Sequence, residues 1–118
     1  MKSADDVLNL ARLEEAYGDD SAAIANLLGL ARETELRYIT ALREGIAHDD
    51  IGAVARAAHS IKGSASNIGA ARVSRVAADI ENQARIERWE GISGFADELD
   101  VQYAELSVRI AEYTAKIV

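Results

Sequence analysis

Apolar residues recur at steps of three and four along almost the whole chain, and no segment alternates at period two for long enough to make a strand. Val7, Leu10, Ala11 and Leu13 give the apolar side of a short first helix. Ser3 is its expected N-cap, Asp5 and Asp6 suit the dipole of its first turn, and Gly18 is its expected left-handed C-cap. A longer second helix begins at Asp19, Asp20 or Ser21 and runs to about residue 47. Its stripe is Ile24, Leu27, Leu28, Ala31, Tyr38, Leu42 and Ile46; Leu30, Leu36 and Ile39 widen it toward a further neighbour, and Glu35 interrupts it. After a turn at His48, with Asp49 or Asp50 as cap, a third helix spans about residues 50–68 and ends at Gly69. Its buried face is Ile51, Val54, Ala58, Ile61, Ala65 and Ile68. A fourth starts at Ala70 or Ala71, turns Val73, Val76, Ala77, Ile80 and Ala84 inward, and ends around residues 88–90. Residues 91–94 make the next break, and Phe95, Leu99, Tyr103, Leu106, Ile110, Tyr113 and Ile117 mark the last helix. The spacing predicts an all-α fold, an antiparallel up-and-down four-helix bundle with a short extra N-terminal helix across one end, with residues 1–118 as one domain.

Composition narrows the class. The chain has 118 residues with no proline and no cysteine, which permits long helices and removes disulfides and thiolate metal sites. No apolar run nears the roughly 18 residues needed to span a bilayer, and no secretory segment opens the chain, so a cytoplasmic protein without membrane insertion is expected. The net charge of −7 disfavours nucleic acid and anionic membrane as partners. That charge is uneven: residues 51–90 carry 4 acids against 6 bases, whereas residues 1–50 carry 11 against 5 and residues 91–118 carry 5 against 2. The one non-acidic segment therefore suits an anion or an acidic partner surface.

That segment holds the residue the fold does not need. On a helical wheel His59 lies roughly 130° from the centre of the third helix's apolar stripe, and so faces solvent. Lys62 shares its face at i+3, and Gly63 at i+4 removes a side chain at a cost of about 1 kcal/mol relative to alanine. Ala55 and Ser66 flank the same surface. An imidazole in water is mostly neutral near pH 7 and keeps one nucleophilic nitrogen. A cation beside it and open space around it suit a phosphoryl group, whose transfer depends on positioning and charge neutralisation. His48, at a helix C-terminus, reads as a bystander. There is no phosphate loop, nucleophile elbow or paired metal-ligand motif, which argues against an autonomous enzyme and against a metal site.

The run Ala58-His59-Ser60-Ile61-Lys62-Gly63-Ser64, followed by Asn67-Ile68-Gly69-Ala70, closely resembles the signature of histidine-containing phosphotransfer (HPt) domains. Ala78-Asp79-Ile80-Glu81 resembles the family's acidic position on the next helix, and the likeness extends over most of residues 7–88. The resemblance implies a phosphocarrier of a two-component multistep phosphorelay. His59 would carry a phosphoryl group between receiver-domain aspartates, Lys62 would steady its charge and Gly63 would give clearance. Glu81 stands where some relatives place a glutamine on the imidazole, so it either orients the ring or is a solvated helix residue; Gln83, roughly 160° away around the helix, is the poorer candidate. Arg56, one turn before His59, would meet acidic receiver residues. The chain itself would need no cofactor, Mg²⁺ being expected on the receiver. Response-regulator receivers are the implied partners, with a hybrid sensor histidine kinase as a further one, and a monomer is the expected state. Two other readings share the motif: the phosphoacceptor domain of a chemotaxis-type histidine kinase, and an adaptor bundle that carries no phosphate.

Overall fold

The computed structural model describes residues 4–117, which form six helices: α1 (Ala4–Val7), α2 (Leu10–Tyr17), α3 (Ser21–Ala47), α4 (Ile51–Asn67), α5 (Ala71–Arg85) and α6 (Ile92–Ala115). No strand occurs among the described residues. The starts of α3 and α4 follow side-chain chemistry. Asp20 accepts from the Ala23 amide at 2.9 Å and Asp50 from the Ala53 amide at 3.0 Å, each satisfying a first-turn donor. Ser3, the expected cap of the first helix, lies outside the described residues.

The expected single N-terminal helix is two. Asn9 separates them because its backbone N–H donates to the Gly69 carbonyl at 3.1 Å, outside any helix. Its side chain then restarts the chain as the cap of α2, accepting from the Arg12 amide at 3.1 Å. Gly69 is suited to this contact: its φ is +73°, and a Cβ there would sit 2.9 Å from that of Asn9.

Helix ends use one device three times. After α3, Asp50 N–H reaches the Gly45 carbonyl and Asp49 N–H that of Ile46; after α4, Ala70 reaches Ala65 and Gly69 reaches Ser66; after α5, Arg88 reaches Gln83 and Glu87 reaches Ala84. These are Schellman caps, which need a left-handed residue at the turn. Only Gly69 supplies a glycine; Asp49 and Glu87 take φ of 54° and 55°. A glutamate in the left-handed region gives no sequence signal, which is why α5 stops at Arg85 rather than around residues 88–90. Likewise Gly91 alone takes a positive φ before α6, and Gly94 lies inside that helix.

The four long helices pack in a closed circuit, α3 on α4, α4 on α5, α5 on α6 and α6 on α3, while α2 lies against α3 and α1 touches α5 and α6. Ile24, Leu28, Leu42, Val54, Ile61, Ile80, Leu99, Leu106 and Ile110 are fully buried, each stabilising by about 1.5–3 kcal/mol. Ile39 joins this core, but Leu30 and Leu36 are exposed, because no neighbour covers that side of α3.

Glu35, which breaks the α3 stripe in sequence, is wholly buried. Ser64 on α4 donates to its Oε2 at 3.1 Å, and its Oε1 has no hydrogen-bond partner. Burial pushes the carboxyl up from 4.5 to about 7, only partly offset by the Ser64 bond, so the core favours its neutral form. A folded-state value raised in this way contributes stability in full below about 4.5 and loses it as pH rises through about 7. Urea unfolding across that range should show the advantage of the wild type over Glu35→Gln shrinking by on the order of 3 kcal/mol. A constant difference would mean that Glu35 is ionised in the core. At the α5 cap, Glu87→Gly should raise stability by about 1 kcal/mol, since glycine takes the left-handed region without the steric cost of a Cβ; an unchanged urea midpoint would show that Glu87 is not strained.

Candidate functional site

The inner stripe of α4 fixes what its other side presents. With Ala58 and Ile61 fully buried, His59 must point outward, and its side chain is 61% exposed. The helix alongside is α5, whose stripe of Val73, Ala77, Ile80 and Ala84 is buried against the core. Glu81 follows Ile80 at the edge of that stripe, in the seam between the two helices. It is only 3% exposed.

Three cationic or polar side chains converge on this carboxylate. His59 Nδ1 lies 2.9 Å from Glu81 Oε2, and Lys62 Nζ lies 2.7 Å from Oε1. Arg85, one turn further along α5, donates to Oε2 through Nε at 2.8 Å and Nη2 at 2.5 Å. Burial pushes the Glu81 carboxyl up, but hydrogen bonds from Lys62, Arg85 and His59 outweigh it and bring it down from 4.5 to about 2. Glu81 is therefore an anion at neutral pH and can only accept.

That settles the tautomer. Facing an acceptor, Nδ1 must carry the ring proton, which leaves the lone pair on Nε2. Among the described residues nothing is hydrogen-bonded to Nε2. The result is an exposed imidazole, held by its inner nitrogen and offering its outer one.

The structure thus gathers His59, Lys62 and Glu81, and decides between the two readings of Glu81 in favour of contact with the ring. Lys62 rests on Glu81 beside the imidazole. Around Gly63 there is open space: a Cβ there would meet nothing within 4 Å, so no group among the described residues requires the glycine. Arg56 is exposed. Ser66 is exposed on the same face, its hydroxyl 2.8 Å from that of Ser74. Ala55 does not belong to this surface. It is 8% exposed, because it is turned into the core beside Val54 and Ala58. Gln83 points away and donates to the Glu90 carbonyl at 2.8 Å. His48 Nδ1 lies 2.8 Å from the Glu44 carbonyl at the end of α3, apart from the site's hydrogen bonds.

Arg85 is the participant that sequence reasoning passed over as one more polar position. Its signal was available: an acid followed four residues later by a base on one helix. What the spacing does not tell is that the acid is buried, which turns a surface pair into a clamp on the carboxylate. Among the described residues no group of three or more His, Cys, Asp or Glu side chains is arranged to hold a metal ion. Among them, too, no helix is long and apolar enough to cross a membrane.

A helical protein that orients an exposed imidazole with a buried anion, and leaves free space beside it, has the form of a nucleophile displayed for a partner. Comparison with known proteins gives that form a family. Residues 26–107 match the Hpt domain model, and the chain belongs to the Hpt domain family. It also superimposes on the crystal structure of histidine-containing phosphotransfer protein B (HptB) from Pseudomonas aeruginosa PAO1, with a TM-score of 0.86 and 22% sequence identity, over 97% of this chain and 98% of that one. A search of curated proteins gave no match. The chain is a histidine phosphotransfer module of a phosphorelay, a phosphocarrier that works with receiver domains rather than an enzyme.

The imidazole ¹⁵N spectrum checks the geometry directly. His59 should show the Nδ1–H tautomer in the wild type, and Glu81→Ala should mix the two tautomers. A wild-type ring protonated on Nε2 would mean that Glu81 does not orient it.

Proposed function

We propose that His59 Nε2 is the phosphoacceptor. The observation that carries this reading is the bond from Nδ1 to the buried, ionised Glu81, which aims the lone pair outward. Nε2 attacks the phosphorus of a receiver's aspartyl phosphate. The N–P bond forms, the P–O bond to the aspartate breaks, and the carboxylate leaves with the bonding pair. No proton need depart, because Nδ1–H stays in place and the ring becomes cationic next to Glu81. Charge that develops in the transition state thus faces a carboxylate that is already there. The reverse steps return the group to another receiver.

Lys62 lies within a side chain's swing of a phosphoryl group on Nε2 and neutralises part of its charge. Gly63, one turn from His59, leaves room for the receiver's approach, and Arg56 meets acidic groups on it. Mg²⁺ belongs to the receiver. The four long helices, joined by short connections and closed by α6 on α3, are read as an antiparallel up-and-down bundle, with residues 1–118 as one domain. A monomer in the cytoplasm, serving free receivers or a hybrid sensor kinase, fits this role.

Incubation with a phosphorylated receiver tests the assignment. The wild type should acquire acid-labile, base-stable phosphate, and His59→Ala should acquire none while keeping its helicity; labelling that survives in the variant would move the acceptor elsewhere. Lys62→Ala should slow transfer roughly tenfold, the scale of one charge-assisted contact. Gly63→Ala makes the sharper case. It should stabilise α4 by up to about 1 kcal/mol yet slow transfer, since the added methyl meets only the partner. If transfer were unchanged, Gly63 would have no role in clearance.

A further inference from the structure

A second basic site lies in the same groove between α4 and α5. Ser66 is seven residues beyond His59, so it shares His59's face about 10 Å along the helix axis. Ser74 and Arg75 stand opposite it on α5, and Arg12 reaches in from α2. These residues border an open cavity of about 310 Å³.

The charge in this cavity is uncompensated. Its lining includes no carboxylate, although the chain has 20 acids against 13 bases. Among the described residues Arg12 Nη1 reaches the Ser66 carbonyl, at 3.4 Å, and makes no ion pair. Arg75 makes no ion pair among the described residues, even with Asp79 one turn away. Elsewhere Arg43 holds Asp97 and Asp100, Arg72 holds Glu105, and Arg85 holds Glu81. Here two arginines line one hollow that has no carboxylate among its lining residues. The Ser66 and Ser74 hydroxyls, 2.8 Å apart, add polar groups that can turn toward a guest.

The position of the hollow indicates what fills it. A standard protein interface covers about 800 Å² on each partner, a disc of roughly 16 Å radius. Centred on His59, such a disc takes in a site about 10 Å away on the same face. We propose that an acidic side chain of the docking receiver enters this cavity, and that Arg12 and Arg75 thereby discriminate among receivers. The proposal rests on the phosphotransfer reading of the site. It assigns these two arginines to partner selection rather than to phosphoryl chemistry, since neither touches His59.

The test compares the wild type with Arg12→Glu/Arg75→Glu and with a control of equal charge change, Arg37→Glu/Arg109→Glu, on α3 and α6. Arg75→Glu alone serves as the variant that cannot disturb the fold through a lost contact. The probe is the receiver domain, from the same genome, that exchanges phosphate with the chain fastest. At low salt, reversal in the cavity should raise KM for the phosphorylated receiver at least about tenfold, with kcat within about twofold, and the gap should narrow as salt rises. The control should move KM less than about threefold. The same comparison is made by calorimetry in a His59→Ala background, which reads receiver binding without transfer. If binding depends on Arg12 and Arg75 but the wild type is never labelled, the phosphoacceptor assignment falls and the docking contact stands. If the wild type is labelled while KM and Kd respond no more than in the control, the cavity does not receive the receiver and the proposal is overturned. Inorganic phosphate bound there, with receiver affinity indifferent to both arginines, would overturn it in favour of a small-anion site.

Discussion

A buried carboxylate survives in a protein only if other groups replace the water it has lost. Glu81 is that carboxylate here, and most features of the site follow from how it is satisfied. Lys62, Arg85 and His59 together provide the donors, and they come from both α4 and α5. Taking away one donor would leave an anion short of partners in a closed seam, so each of the three side chains is held by the need of the fourth. The imidazole's orientation is thus a by-product of the requirement that Glu81 be solvated by protein. It is supplied by side chains on two adjacent helices.

Helix faces were legible in the chain, and contacts between helices were not. Val54, Ala58, Ile61 and Ala65 repeat at helical spacing, and once they are buried His59 can only face outward. Nothing local shows that Glu81 stands opposite His59, because that depends on the register between α4 and α5. Glu35 has the same history: an interruption in a stripe by sequence, a buried acid in the fold whose carboxyl burial pushes up and Ser64 partly satisfies. The first break, at Asn9, is set by a carbonyl sixty residues away in sequence, and the end of α5 by a glutamate in a conformation that glycine normally takes. Leu30 and Leu36 went the other way, since an apolar side chain on a helix says nothing about whether a neighbour is present to cover it. Residue pattern reports which side of a helix is wet; caps and polar networks are decided by what the rest of the chain brings near.

The division of labour with a receiver follows from the same economy. On the proposed reading, this chain contributes orientation, charge and an unobstructed surface. Gly63 illustrates the last of these: it costs helix stability and relieves no crowding within the chain, so its benefit must be sought outside the chain. The chain is acidic overall, and its one basic interval, residues 51–90, is the interval that carries the histidine.

The clamp on His59 joins two helices that follow each other directly, and the ring and its carboxylate are 22 residues apart in the chain. Closing so short a connection costs little loop entropy, and the cost grows only slowly with length. The helical hairpin of α4 and α5 is therefore, like that of α3 and α4, a local unit of the fold, whereas α6 must return across the whole circuit to meet α3. In folding terms the site sits in a local part of the topology, and contacts of short sequence separation favour fast folding. The carboxylate and its three donors all lie between residues 59 and 85, so the histidine is aimed by a single helical hairpin whose inner faces the rest of the bundle buries.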